Sequence, residues 1–244
     1  MRNIRLDICY EGTRYQGWQR QVTTKDTIQG KLETALSRIL EEPIEISGSG
    51  RTDAGTHAKG QVASFHCESQ MPCPEILENL RRYLPEDIGI LSCRDVSPRF
   101  HARLNARGKT YCYRVWNSDA PCVFQRRYVH ILPEPLDLKA MEAAAAHLVG
   151  RHDFAAFCTN AGKKKSTVRC IESFTVTRQE EEIHFRVSGD GFLHNQVRIM
   201  VGTLLEVGLG QRDADSVPAL FEGKRAMSGT KLPAKGLCLE EVRY

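Results

Sequence analysis

The amino-acid sequence predicts an α+β fold built from two successive βαββαβ halves with antiparallel sheets, on three observations. Along the 244 residues the apolar spacing switches repeatedly between a period of two and a helical period. The order of those switches over the first hundred residues recurs in the remainder, as an architectural repeat without residue-level identity. Apolar residues at 41% and charged residues at 26% supply a core without the bias of a disordered chain.

The elements follow in order. Ile4, Leu6, Ile8 and Tyr10 alternate as in a strand with one buried face, and the glycine-bearing loop YEGTRYQGWQRQ follows. The spacing then becomes helical at Ile28, Leu32, Ala35, Leu36, Ile39 and Leu40, with Asp26 or Thr27 as N-cap and Pro43 as the stop. Strands are expected at Ile44 to Ile46 and at Gln61 to Phe65, on either side of a loop from Gly48 to Gly60. A helix opens at Pro74, with proline tolerated in the first turn, and ends before Pro85; Ile88 to Val96 returns to an extended pattern.

The second half begins with a strand at Lys109 to Trp116, in which Tyr111, Tyr113 and Val115 share a face. A helix from Asp137 to Gly150 precedes a hairpin, Ile171 to Thr177 and Ile183 to Ser188, around the polar turn Gln179 to Glu182. A helix from Asn195 to Val207 ends at Gly208, and a last strand covers Leu237 to Val242. Each half therefore matches the split βαβ, ferredoxin-like motif. The boundary falls in the weakly periodic segment Ser97 to Ala106, so residues 1–100 form the first half and 101–244 the second.

Composition narrows the function classes. No apolar run approaches membrane-spanning length, and Arg5 and Asp7 interrupt the stretch a secretion signal would need, so a soluble, cytoplasmic protein is expected. The nine cysteines contain no C-x-x-C pair and are odd in number, which argues for reduced, buried thiols rather than zinc ligands or disulfides. None of the eight histidines forms an H-x-x-x-H pair, so a hydrolytic zinc centre is not expected. Net charge is only +4, but between Arg94 and Arg127 eight basic residues face only Asp95 and Asp119, and Lys163, Lys164, Lys165 and Arg169 add a second cluster. Arginine forks suit phosphate and stacked bases, so a polyanion is the leading partner, with salt-dependent affinity. A solvated surface face is the alternative.

The segment GSGRTDAGTHAKG, Gly48 to Gly60, is the densest candidate for chemistry. It is not a P-loop, because Thr56 rather than lysine follows Gly55, and it is not a dinucleotide fingerprint, because position 53 holds Asp53 rather than glycine. Asp53 itself is open to two readings: a carboxylate held out by a glycine-shaped turn as nucleophile or base, or an Asx-turn that bonds nearby backbone N–H groups. An RNA-recognition module is disfavoured, since no RNP1 signature is found and RGKTYCYRV is the nearest match.

Four separated segments carry a resemblance: GSGRTDAGTHA, YEGTRYQGWQRQ, KTYCYRVW and FLHNQVRIMVGTLLEVG, together with the terminal GLCLEEVRY. By these segments and their order along the chain, the sequence resembles the tRNA pseudouridine synthase A family. Glu11 stands where the family usually has aspartate, and Thr56 where it usually has valine. The resemblance implies isomerisation of uridine to pseudouridine at positions 38, 39 and 40 of the tRNA anticodon stem-loop, without metal or organic cofactor. It implies a homodimer, and halves whose sheets meet around a central cleft. It makes Asp53 the catalytic nucleophile, by attack on the ribose C1′ or by a glycal route. Arg198 becomes the arginine paired with that carboxylate, Tyr111 the ring that stacks on the target base, and Leu237 an apolar lining residue; Arg51, two residues before Asp53, is taken as substrate-binding.

These residue types suit that task. A uridine in a stem must be extruded at a cost of a few kcal/mol, and stacking on one aromatic ring returns about 1–3 kcal/mol. A sheltered carboxylate stays ionised only beside a cation, which is a reason to expect an arginine near Asp53. By residue pattern alone, Tyr111 reads as a packing residue of its strand, since Tyr113 and Val115 share its face. Arg198 has Val197, Ile199, Met200 and Val201 as neighbours, which favours a buried position over a surface ion pair.

Overall fold

Alternation in the opening segment produces β1 (Arg2–Tyr10), with Ile4, Leu6 and Ile8 fully buried. In a computed structural model that describes residues 1–159, 166–222 and 228–244, the chain divides into two units. The first comprises Met1–Arg107 with Leu239–Tyr244, and the second comprises Gly108–Cys238. The lysine run at 163–165 lies outside the described residues.

In the first unit β1 is followed by α1 (Ile28–Leu40), β2 (Ser47–Gly48), β3 (His57–Cys67), α2 (Cys73–Tyr83) and β4 (Ile88–Asp95). Thr27 caps α1, its hydroxyl oxygen accepting from the Gly30 amide at 3.2 Å, and Glu41 ends the helix in the left-handed region at φ 57. Pro74 lies in the first turn of α2. β1 pairs antiparallel with both β3 and β4, so the strand order is β4-β1-β3 with β2 on β3. The apolar stripes of the helices are buried at Leu32, Leu36, Ile76 and Leu80, each contributing roughly 1.5–3 kcal/mol of transfer free energy.

One expectation fails here. Ile44 to Ile46 is not a strand; the short pairing segment is Ser47–Gly48. The reason is local hydrogen bonding: the Ile44 amide donates to Ser37 Oγ at 2.9 Å and the Ile46 amide to Glu33 Oε1 at 3.0 Å, so α1 side chains take amides that a sheet partner would need.

The second unit runs β5 (Gly108–Trp116), β6 (His130–Ile131), α3 (Leu138–His147), β7 (Gly150–Asp153), β8 (Val168–Gln179), β9 (Glu182–Gly189), α4 (Gln196–Gly208) and the start of β10 (Leu237–Arg243). The strand order is β5-β9-β8-β7, antiparallel throughout, with β6 added parallel to the end of β5. β6 and β7 are too short to show a period, and the β8–β9 hairpin extends beyond the apolar residues that reveal it. From Leu239 onward β10 belongs to the first unit and lies beside β3. Gly60 makes that approach possible, because a Cβ there would stand 2.3 Å from the Glu240 carbonyl oxygen. The result is an α+β architecture with mostly antiparallel pairing.

Candidate active site

In the first unit, Asp53 sits in an irregular loop between β2 and β3 and is half-buried. Its carbonyl accepts from the Thr56 amide at 3.1 Å, and Gly55 stands at φ 78, so the turn after Asp53 is closed by main chain and uses glycine where L side chains are strained. The loop is clamped by the other glycine-bearing loop. The Trp18 amide donates to the Thr52 carbonyl at 3.0 Å, and the Gly55 amide to Tyr15 at 3.3 Å. Gly12 and Gly17 permit the contact: a Cβ on Gly12 would lie 2.0 Å from Thr56 O, and one on Gly17, at φ 89, 2.7 Å from Thr52 O.

Buried side chains brace the same loop. The Tyr10 hydroxyl shares a 2.7 Å hydrogen bond with Thr52 Oγ1, directly before Asp53. Gln61 is fully buried; its Nε2 donates to the Gly50 carbonyl at 3.1 Å, and its Oε1 accepts from Ser49 Oγ at 2.6 Å and from the Val62 amide at 3.1 Å. His57 Nδ1 accepts from the Gly12 amide at 3.0 Å, with Glu11 Oε1 3.4 Å away. The Thr56 hydroxyl is buried and, among the described residues, unsatisfied. Arg51 is exposed, its Nε donating to Gln19 Oε1 at 2.9 Å.

In the second unit, Tyr111 is buried on β5 opposite Val187 of β9, its ring meeting Phe192 edge-on at 5.1 Å between centroids. Tyr113, two residues along on the same face, is fully buried and donates its hydroxyl to the Pro233 carbonyl at 2.8 Å. Burial pushes the Tyr113 hydroxyl well above the usual phenol range, opposed by the positive charge of Arg198. Arg198, third residue of α4, is half-buried rather than fully buried, with Nε donating to the Leu232 carbonyl at 2.7 Å and Nη1 to Asn195 Oδ1 at 2.8 Å. Asn195 precedes the helix in the left-handed region at φ 63. Gly202 lets the segment that ends in Leu232 approach α4, since a Cβ there would stand 1.9 Å from Thr230 O. One stretch, Leu232 and Pro233, therefore anchors both Arg198 and Tyr113, and Leu237, buried at 7% exposure, follows four residues later.

Of the five residues singled out by sequence, Arg51 and Asp53 thus share one loop of the first unit, while Tyr111, Arg198 and Leu237 belong to the second. The arginine-rich stretch is not uniformly available to a polyanion. Arg114 makes a bidentate pair with Glu182, both contacts 2.7 Å, and Arg94 lies 3.6 Å from Asp7. Burial would raise the Glu182 carboxyl, yet hydrogen bonds from Arg114 and His184 hold it below the ordinary carboxylate value. Sequence reasoning passed over the bracing groups Tyr10, Ser49, Gln61, Gln19, Gln29 and Glu33. The one available signal was Gln29 and Glu33, polar residues one helical turn apart beside the apolar stripe of α1.

No described helix is long and apolar enough to cross a membrane, and no described group of three or more His, Cys, Asp or Glu is arranged to hold a metal. A family model described as tRNA pseudouridine synthase matches residues 8–105 and 144–244. Among curated proteins, a tRNA pseudouridine synthase A 2 of Bacillus cereus is 45% identical over 245 residues, covering both chains completely. A tRNA pseudouridine synthase A of Clostridium kluyveri is 43% identical, again over the full length of both. With full-length relatives at this identity and both units matched by the family model, the chain belongs to the tRNA pseudouridine synthase A family and is an isomerase that converts uridine to pseudouridine in tRNA.

Proposed function

We propose that the chain acts on uridines 38, 39 and 40 of the tRNA anticodon stem-loop, with Asp53 as nucleophile and without a metal or organic cofactor. The observation that carries this reading is the bracing of the Asp53 loop. A carboxylate carried on a closed turn, whose neighbours Thr52 and Gly50 are held by Tyr10, Gln61 and the Trp18 loop, is preorganised for attack on a sugar carbon. In the reaction the C1′–N1 bond breaks, the base reorients, a C1′–C5 bond forms, and the proton lost from C5 is balanced by one gained at N1. Asp53 either adds to C1′ or assists a glycal route to the same product. Arg198 supplies the guanidinium that favours an ionised carboxylate, Tyr111 the ring that stacks on the target base, Leu237 an apolar lining, and Arg51 a contact to substrate.

We further propose ferredoxin-like halves, the first bearing the catalytic loop and the second the stacking tyrosine and arginine. The strand order β4-β1-β3-β2 in the first unit and the run β5-β9-β8 in the second support this. A cytoplasmic homodimer completes the reading. The decisive test is pseudouridine mapping on unmodified tRNA. Asp53→Asn and Asp53→Ala are expected to abolish product at 38, 39 and 40 while tRNA affinity stays within a few-fold; an active Asp53→Ala protein overturns the assignment.

A further inference from the structure

Arg51 stands at the outer end of a continuous chain of side-chain hydrogen bonds that starts in the core of the first unit. Glu33, 5% exposed on α1, accepts from Gln29 Nε2 at 2.8 Å and from the Ile46 amide at 3.0 Å. Gln29, 9% exposed, accepts at its Oε1 from Gln19 Nε2 at 2.7 Å and from the Arg20 amide at 3.0 Å. Gln19 Oε1 in turn accepts from Arg51 Nε at 2.9 Å. We infer that Gln19 and Gln29 form a relay that transmits the fixed position of the buried Glu33 carboxylate to the exposed Arg51 guanidinium, and so act as positioning residues for the reaction.

The chemistry of the two ends dictates the direction of the relay. A carboxylate only accepts and a guanidinium only donates, so each intervening amide must turn its NH2 toward Glu33 and its oxygen toward Arg51. No amide can flip without breaking two bonds at once. Charges of opposite sign at the ends polarise every bond in the same sense, which strengthens the chain beyond isolated neutral pairs. Arg20 reinforces the anchor, its Nη1 lying 3.1 Å from Glu33 Oε2. An exposed arginine ordinarily samples many rotamers; held at Nε, Arg51 keeps its planar fork in one orientation two residues from Asp53. The relay uses one guanidinium nitrogen only, so its paired terminal nitrogens remain the face suited to a phosphate or a base edge.

The inference rests on reading Arg51 as a substrate contact, and a double-mutant cycle separates the two. Steady-state kcat/KM on unmodified tRNA is measured for the native chain, Gln19→Ala, Arg51→Ala and the double variant, with thermal unfolding midpoints alongside. Gln19→Ala is expected to lower kcat/KM about tenfold in the native background and less than about twofold when Arg51 is already alanine, a coupling of the size seen between residues in one hydrogen-bond network. Gln19→Met, which keeps the volume and removes the amide, must reproduce the loss with an unfolding midpoint within a few degrees of native. Additive losses, or a Gln19→Ala enzyme as active as native beside an impaired Arg51→Ala, overturn the relay alone. A fully active Arg51→Ala enzyme overturns the relay and the substrate role of Arg51 together.

Discussion

The Asp53 loop and the Tyr111 strand each carry a residue of the proposed chemistry, yet different forces hold them. Asp53 lies in a segment with almost no regular structure, and its position depends on a few polar contacts, Tyr10 with Thr52 and Gln61 with Gly50, and on two glycines that let one loop lie on another. Tyr111 lies inside a nine-residue strand whose neighbour β9 pairs with it along its length, and it is held by ladder hydrogen bonds and burial. A ladder spreads its load over many equivalent bonds. A braced loop concentrates it in a handful of contacts, so single changes there should have large and specific effects.

Breaking the loop brace should give the largest effect. Gly12→Ala places a methyl 2.0 Å from the Thr56 carbonyl, where neither backbone can yield, and is expected to lower stability by about 3 kcal/mol in urea unfolding. A loss below about 1 kcal/mol would mean that the loop is not clamped as described. Tyr111→Phe probes the other region. We propose that the Tyr111 hydroxyl transfers a proton in the reaction while its ring stacks: ring burial and the Phe192 contact survive in the variant, so unfolding should shift by less than about 1 kcal/mol, while single-turnover pseudouridine formation falls about a hundredfold. Normal turnover would leave Tyr111 as a stacking ring only. The smallest change sharpens the comparison from the opposite direction. Thr56→Val removes a buried hydroxyl that has no partner among the described residues, at nearly constant shape, so stability should rise by about 1 kcal/mol, or about 2–4 °C in midpoint. A destabilised Thr56→Val chain would show that this hydroxyl is satisfied.

Most of the element order was legible because it is written in short-range periodicity. Ile28, Leu32 and Leu36 announce α1, and Thr27 before them announces its cap. Strand alternation marks β1 and β5 in the same way. The segment at Ile44 to Ile46 misled because its apolar residues are buried as a strand's would be, while its amides are claimed by Ser37 and Glu33 of α1. The arginine-rich stretch misled for a related reason: Arg114 looks available in sequence, but its partner Glu182 lies 68 residues away on the adjacent strand. The bracing of Asp53 was hidden because Tyr10, Gln61 and Gln19 are ordinary residues until the loops meet.

What the amino-acid sequence determined by itself is the kind and order of most of the elements, the presence of an acidic residue in a glycine-shaped loop, and the family. Helical and strand periods, caps and turn residues act within a few positions, so each is readable where it stands. Tertiary structure alone decided that the last strand returns beside β3, that a main-chain turn closes behind Asp53, that Arg198 and Tyr113 share one anchoring segment, and that Arg51 is tied through two glutamines to a buried carboxylate. Those pairings turn on distances of about 3 Å between atoms far apart in the chain, and hydrogen-bond geometry of that kind exists only once the core has brought them together.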